Sequence, residues 1–102
     1  MMKNYDKAAW HIDGGEDVSK VVERFKEVFL FLAENGMLSE EGKETLEYGM
    51  DSSVVLNNMM VNRDGQAFLE SCYDYVFSKN IMEIKKCLIS EYKIFKGENI
   101  VL

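Results

Sequence analysis

The residues with catalytic potential are few: His11, the only histidine, and Cys72 and Cys87, the only cysteines, are the whole stock of imidazole and thiol groups. A single histidine excludes a multi-histidine metal site, and two cysteines fifteen apart, without a CxxC pair, lack the spacing of structural zinc. A Cys-His or Ser-His dyad remains formally open, but no nucleophile elbow, phosphate loop or dinucleotide fingerprint accompanies it. Asp13-Gly14-Gly15-Glu16-Asp17 has the composition of a calcium loop, yet the alternating acids and the distal glutamate are missing. It reads instead as a turn followed by a helix cap. Paired carboxylates serve as general acid and base only where a dry cleft raises one pKa, and the acids here fall in polar stretches. No catalysis, no metal and no cofactor are therefore expected. His11 reads as a surface or interfacial side chain, and the cysteines as buried thiols on apolar helical stripes.

Charge carries the sharper functional hint. Residues 1–78 hold 15 acids against 7 bases, net −8, whereas residues 79–102 hold 3 against 5, net +2, which together give the chain its −6. Between 34 and 51, Glu34, Glu40, Glu41, Glu44, Glu47 and Asp51 oppose only Lys43. Such a run is either a solvated face that keeps the chain dispersed or a surface shaped to meet a basic partner, since clustered charge steers association. The candidate partner-binding residues are Glu40, Glu41, Glu44, Glu47 and Asp51. Trp10 joins them because it falls off the Tyr5, Ala8, Ile12 stripe of its own segment. Phosphate contact needs a basic stripe, and a pI near 4.8 argues against nucleic acid. Lys79, Lys86 and Lys93 do share one helical face with Lys85 and Lys96 nearby, which reads as an ordinary solvated helix surface.

The elements that must position these residues are marked by caps and glycines. A helix-start pattern occurs twice, 23 residues apart: Met37-Leu38-Ser39-Glu40-Glu41-Gly42-Lys43-Glu44-Thr45-Leu46-Glu47 and Met60-Val61-Asn62-Arg63-Asp64-Gly65-Gln66-Ala67-Phe68-Leu69-Glu70. Each copy carries an apolar pair, a capping residue (Ser39 or Asn62), an acid two places on, then glycine, then Leu-Glu. Cap and acid suit the unpaired N–H groups and the dipole of a first helical turn. Glycine at the third helical position costs about 1 kcal/mol of propensity, so something must approach the backbone there, a packed neighbouring helix being preferred over a phosphate.

With no proline in the chain, glycine alone punctuates it. A helix is predicted over 4–13, ending at Gly14-Gly15, although Ala8, Trp10 and Ile12 also fit a strand. Capped by Asp17, the residues Val18, Val21, Val22, Phe25, Val28, Phe29 and Leu32 form one stripe that stops at Asn35-Gly36. Its unbroken second half makes this the central helix. A short helix follows from Glu40 to Tyr48, then a further turn capped by Asp51 through Val54, Val55, Leu56 and Met59. Two more helices are predicted, from Arg63 to about Lys79 and from near Asn80 through Phe95, stopping at Gly97, with 99–102 free to be extended.

The fold class is therefore all-α: an irregular bundle of five to six short helices around a central helix at 17–35, with minor extended segments allowed at the termini. At 102 residues and 47% hydrophobic composition, one real core is expected without disulfides, in a single domain. No apolar run approaches a bilayer span, and a cytoplasmic location is expected. In type rather than in motif, the chain resembles the immunity proteins found beside bacterial toxins, antirepressors and adaptor subunits. That likeness implies a protein-binding module that masks a basic surface, such as a toxin's, and the alternative is a small helix-turn-helix-like regulator of transcription. The oligomeric state is left open.

Overall fold

The computed structural model describes residues 3–77 and 81–98. Within them the chain is mostly helical, with a small antiparallel sheet. The elements run β1 (Asn4–Lys7), α1 (Ala8–Asp13), α2 (Val18–Glu34), α3 (Glu40–Tyr48), β2 (Val55–Asn57), α4 (Arg63–Phe77) and α5 (Ile81–Glu98). This suits a helical bundle but is not purely all-α. The end of the helix predicted to Lys79, the start predicted at Asn80 and the 99–102 tail lie outside the described residues.

α2 forms where its stripe predicts. Asp17 caps it by accepting from the Lys20 amide at 3.2 Å, and the backbone leaves the helix through Gly36 at φ +68, a left-handed conformation that suits glycine. Val21, Phe25, Val28, Phe29, Phe31 and Leu32 are buried, and the helix packs against α1, α3 and α5. Val18 departs from the stripe and is 46% exposed. α4 contributes Phe68, Leu69 and Cys72 to the same core, and α5 contributes Ile84 and Leu88. Phe68 meets Tyr92 and Phe95 edge-on at 5.7 and 5.5 Å between ring centroids.

Two sequence expectations are corrected. The 4–13 segment is a strand followed by a short helix, because β1 finds a partner in β2: Asn4 lies opposite Asn57, Asp6 opposite Leu56 and Lys7 opposite Val55, with a register slip between Asn4 and Asp6. The Ala8 amide then donates to the Val54 carbonyl at 3.0 Å, and α1 begins. The predicted helical turn at 54–59 is replaced by β2 at Val55–Asn57 and a turn after it, in keeping with the β-branched Val54 and Val55. Asp51 caps no helix; its Oδ1 accepts from the Ser53 amide at 2.8 Å, closing a local turn.

The duplicated helix starts are not merely alike; they hold one another. Leu38 and Val61 form an antiparallel bridge. The Ser39 amide donates to the Met60 carbonyl and the Asn62 amide to the Met37 carbonyl, each at 3.0 Å. Each cap also closes its own helix: Ser39 Oγ accepts from the Gly42 amide at 3.2 Å, and Asn62 Oδ1 from the Gly65 amide at 3.0 Å. Each cap further donates to the opposite copy, Ser39 Oγ to the Met59 carbonyl and Asn62 Nδ2 to the Gly36 carbonyl. The glycines are explained by the same contact. A Cβ on Gly65 would lie 2.5 Å from the Met37 carbonyl oxygen, and one on Gly42 would press still harder on the Met60 carbonyl. What approaches each glycine is thus a backbone carbonyl of the other copy, not the neighbouring helix expected. Every one of these contacts maps onto its counterpart by the 23-residue offset.

Among the described residues, no helix is long and apolar enough to cross a membrane.

Candidate functional site

α3 is a nine-residue helix held at its start by the interlock and ended by Gly49 at φ +92. Its inner side buries Gly42 and half-buries Thr45 and Leu46. The Thr45 hydroxyl turns back on its own helix, donating to the Glu41 carbonyl at 2.9 Å. Glu40, Glu41, Glu44, Glu47 and Tyr48 are all exposed. At 3.6 residues per turn these five fall within an arc of roughly 120°, so they form one acidic face carrying one aromatic ring. Tyr48 is 86% exposed, the most exposed of the large hydrophobic side chains among the described residues. Lys43 sits beside this face and reaches Glu40 at 3.4 Å, an exposed pair of the kind that contributes little and leaves the field acidic.

The turn after α3 is bordered by two open depressions. One, of about 610 Å³, is lined by the carboxylates of Glu41, Glu44 and Asp51, by Tyr48, and by Val54, Val55 and Met60. The other, of about 820 Å³, lies between α2 and α3; Val18, Val22, Leu46 and Met50 supply its apolar wall, and Glu23, Lys26, Glu47 and Asp51 its polar edge. Asp51 belongs to both. Its carboxyl is held below the usual carboxylate range by hydrogen bonds from the Ser53 hydroxyl and amide, so it keeps its charge at neutral pH.

Of the residues singled out from sequence, the structure brings Glu41, Glu44 and Asp51 together around the first depression and places Glu47 with Asp51 at the second. Glu40 continues the same row. Trp10 is elsewhere: it is 54% exposed on α1, with Lys7 Nζ 5.6 Å from its ring centroid, and lines neither depression. Tyr48, Met50 and Val18 were missed. The signal for Tyr48 was available, since position 48 falls between positions 44 and 41 on the helix projection. Val18 and Met50 could not be found that way, because the facing element that makes a groove of them is distant in sequence.

His11 is built into a charged cluster that joins β1, α1 and α2. Its Nε2 lies 2.7 Å from Asp6 Oδ2, its Nδ1 lies 2.9 Å from Glu16 Oε2, and Glu16 also pairs with Arg24. Asp6 and Arg24 are buried, and the ring meets Phe25 edge-on at 6.3 Å. Each ring nitrogen faces a carboxylate, so both directions from which a substrate proton could be taken are occupied. The cluster fixes the turn between α1 and α2. Arg24 is legible in hindsight, as a cation on the inner stripe three residues after Val21.

Cys72 is buried and donates to the Phe68 carbonyl at 3.3 Å, and burial pushes its thiol up to about 12. A thiol so far from ionisation at neutral pH is a poor nucleophile. Neither Cys72 nor Cys87 forms a disulfide, and Cys87 is half-buried rather than buried. Among the described residues, no group of three or more histidine, cysteine, aspartate or glutamate side chains is arranged to hold a metal ion. In comparisons with known proteins, no family model, no curated protein and no solved structure matches this chain.

Proposed function

We propose that this chain is a non-catalytic protein-binding module, a single domain in which an irregular helical bundle around α2 presents the acidic face of α3 to a basic partner protein. The observation that carries the reading is the row Glu40, Glu41, Glu44, Glu47 and Tyr48, exposed along one face and bordered by two depressions. Four carboxylates give long-range attraction and orientation, while an aromatic ring and apolar walls give contact area near the centre. An immunity-type inhibitor that covers the basic surface of a toxin, or an adaptor, has these needs, and a cytoplasmic setting suits both. The non-catalytic part of the reading is supported by the blocked imidazole of His11 and the un-ionised thiol of Cys72. A helix-turn-helix-like regulator is disfavoured because α3, the short helix that would enter a groove, carries four glutamates against one lysine.

The test is capture of partners from the source cell by wild-type protein and by Glu40→Lys/Glu44→Lys/Glu47→Lys, followed by association kinetics on the captured protein. The reversal is expected to cut the on-rate at least tenfold, and added salt to slow the wild type toward the variant, since exposed charges are screened within about 8 Å at physiological ionic strength. Retention of every partner by the variant would overturn the reading. Selective capture of nucleic acid by the wild type would replace it with the regulator.

A further inference from the structure

Among the described residues, α5 carries a row of exposed lysines that mirrors the acidic row of α3. Lys85, Lys86, Lys93 and Lys96 are exposed, as is Ile89 at 41%. On a helix with 3.6 residues per turn the five positions fall within an arc of roughly 100°, with Ile89 between the lysines. The acids of α5 lie off that arc: Glu83 and Glu91 project roughly 60° or more beyond its edge. The opposite side of α5 packs against α2 and α4 through the buried Ile84 and Leu88, so this is the side the fold leaves outward. Lys79, which shares the spacing, lies outside the described residues.

The two faces match in number of charges, and each carries one apolar side chain. Four lysines with one aliphatic side chain span about 16 Å from Lys85 to Lys96, and four glutamates with one aromatic side chain span about 12 Å from Glu40 to Tyr48, at 1.5 Å per residue. Within one chain α2 packs against both helices, and each charged face is turned to solvent. We propose that the lysine face of α5 is a docking surface for the α3 face of a second copy of this chain. Charge selects the orientation: copies of net −6 repel one another in general, and α3 against α5 is the approach in which local attraction opposes that repulsion. The contact joins unlike surfaces, so each copy keeps one face unused and assembly grows head to tail. A basic partner of α3 would compete with it, which makes self-association a cover for the acidic face. The proposal does not rest on the partner reading; a strictly monomeric protein would overturn it and leave that reading untouched.

Sedimentation velocity on the purified full chain tests it. At about 20 mM salt the weight-average mass should rise with protein concentration, and at about 500 mM, where the screening length is a few ångströms, it should fall to that of one chain. Two variants locate the contact: Lys85→Gln/Lys86→Gln/Lys93→Gln/Lys96→Gln, and Glu40→Gln/Glu41→Gln/Glu44→Gln/Glu47→Gln. All eight positions are exposed, and circular dichroism checks folding. Each variant alone should lose association at least tenfold. Mixed at equal amounts they should form pairs and nothing larger, because one supplies an intact acidic face and the other an intact basic face. The mixture also controls for net charge, since losing four positive charges takes −6 to −10, losing four negative takes it to −2, and the two average to −6. A wild type that stays monomeric at low salt up to millimolar concentration overturns the proposal. So does a lysine variant that associates like wild type, a mixture that does not pair, or an assembly that nuclease treatment abolishes.

Discussion

Met37–Glu47 and Met60–Glu70 begin alike and are used differently. Both supply one strand residue of the Leu38–Val61 bridge, one reciprocal cap and one glycine beneath a carbonyl. Beyond the first turn they part. The position of buried Phe68 in α4 is Thr45 in α3, and Leu69, 1% exposed, corresponds to the half-buried Leu46. α4 spends its inner face on the core, whereas α3 leaves four glutamates and Tyr48 in solvent. The interlock explains the shared residues and the helix dipole suits the first-turn acids Glu40 and Glu41, which leaves Glu44, Glu47 and Tyr48 of the outer row unexplained by folding. Residues that a helix does not need for its own stability are the natural place to look for a role.

The comparison breaks most visibly in the core. Phe68→Ala should cost about 3 to 5 kcal/mol, the usual range for a large buried aromatic, while Thr45→Ala should stay within about 1 kcal/mol. Denaturant midpoints for the two variants test this, and equal losses would place α3 as deep in the core as α4. Next come the glycines, which the two regions share. Gly42→Ala and Gly65→Ala should each cost about 1 to 3 kcal/mol by overpacking against a carbonyl, with Gly42 the more sensitive. The double variant should cost less than the sum, because opening one side of the interlock already frees the other; strict additivity would show that the two starts do not lock. The caps follow. Ser39→Ala and Asn62→Ala should each cost about 0.5 to 2 kcal/mol, and hydrogen exchange should show faster opening at both helix starts in either variant, since each cap also bonds the opposite copy.

The smallest effect is expected where α3 ends. Asp51 sits below its ordinary value of 3.8 through Ser53, so its contribution is present above that value and is lost as pH falls through the lower folded one. Asp51→Asn should therefore lower stability slightly at pH 7, where the contribution is present, and leave it nearly unchanged at the acid end, where the wild type has lost it too. The variant's fall with pH should thus be flatter, measured by denaturant midpoints across that range. An unchanged acid-side slope would mean that the Ser53 bonds do not hold in solution.

Much of the helical part was legible. Asp17, Ser39 and Asn62 each cap the helix they were expected to cap, and the stripe from Val21 to Leu32 faces inward, because caps and helical periodicity act within a few residues and so leave a local mark. The sheet was not legible. β1 and β2 have four and three residues, too short for alternation to stand out from helical spacing, and each becomes a strand only because the other is there. The same holds for the His11 cluster, whose members Asp6, His11, Glu16 and Arg24 come from β1, α1, the turn after it and α2. At the candidate site, the acids of α3 were found because charge is a property of composition. The depressions were not, since they arise from α2 and β2 standing beside α3, and Trp10 was grouped with residues that the fold keeps apart from it.

The register of the sheet also bears on the order in which the chain can fold. Pairing Asn4 with Asn57 encloses more than fifty residues, whereas the interlock closes a loop of 23, between Leu38 and Val61. Closure entropy alone separates the two by only about 0.6 kcal/mol per doubling of length, but the interlock arrives with two helix starts already nucleated, and β1 brings one short strand to a partner that must first be in place. β1 is therefore expected to dock last, and mutations along it should speed unfolding while leaving the folding rate almost untouched, as stopped-flow refolding and unfolding rates of such variants would show.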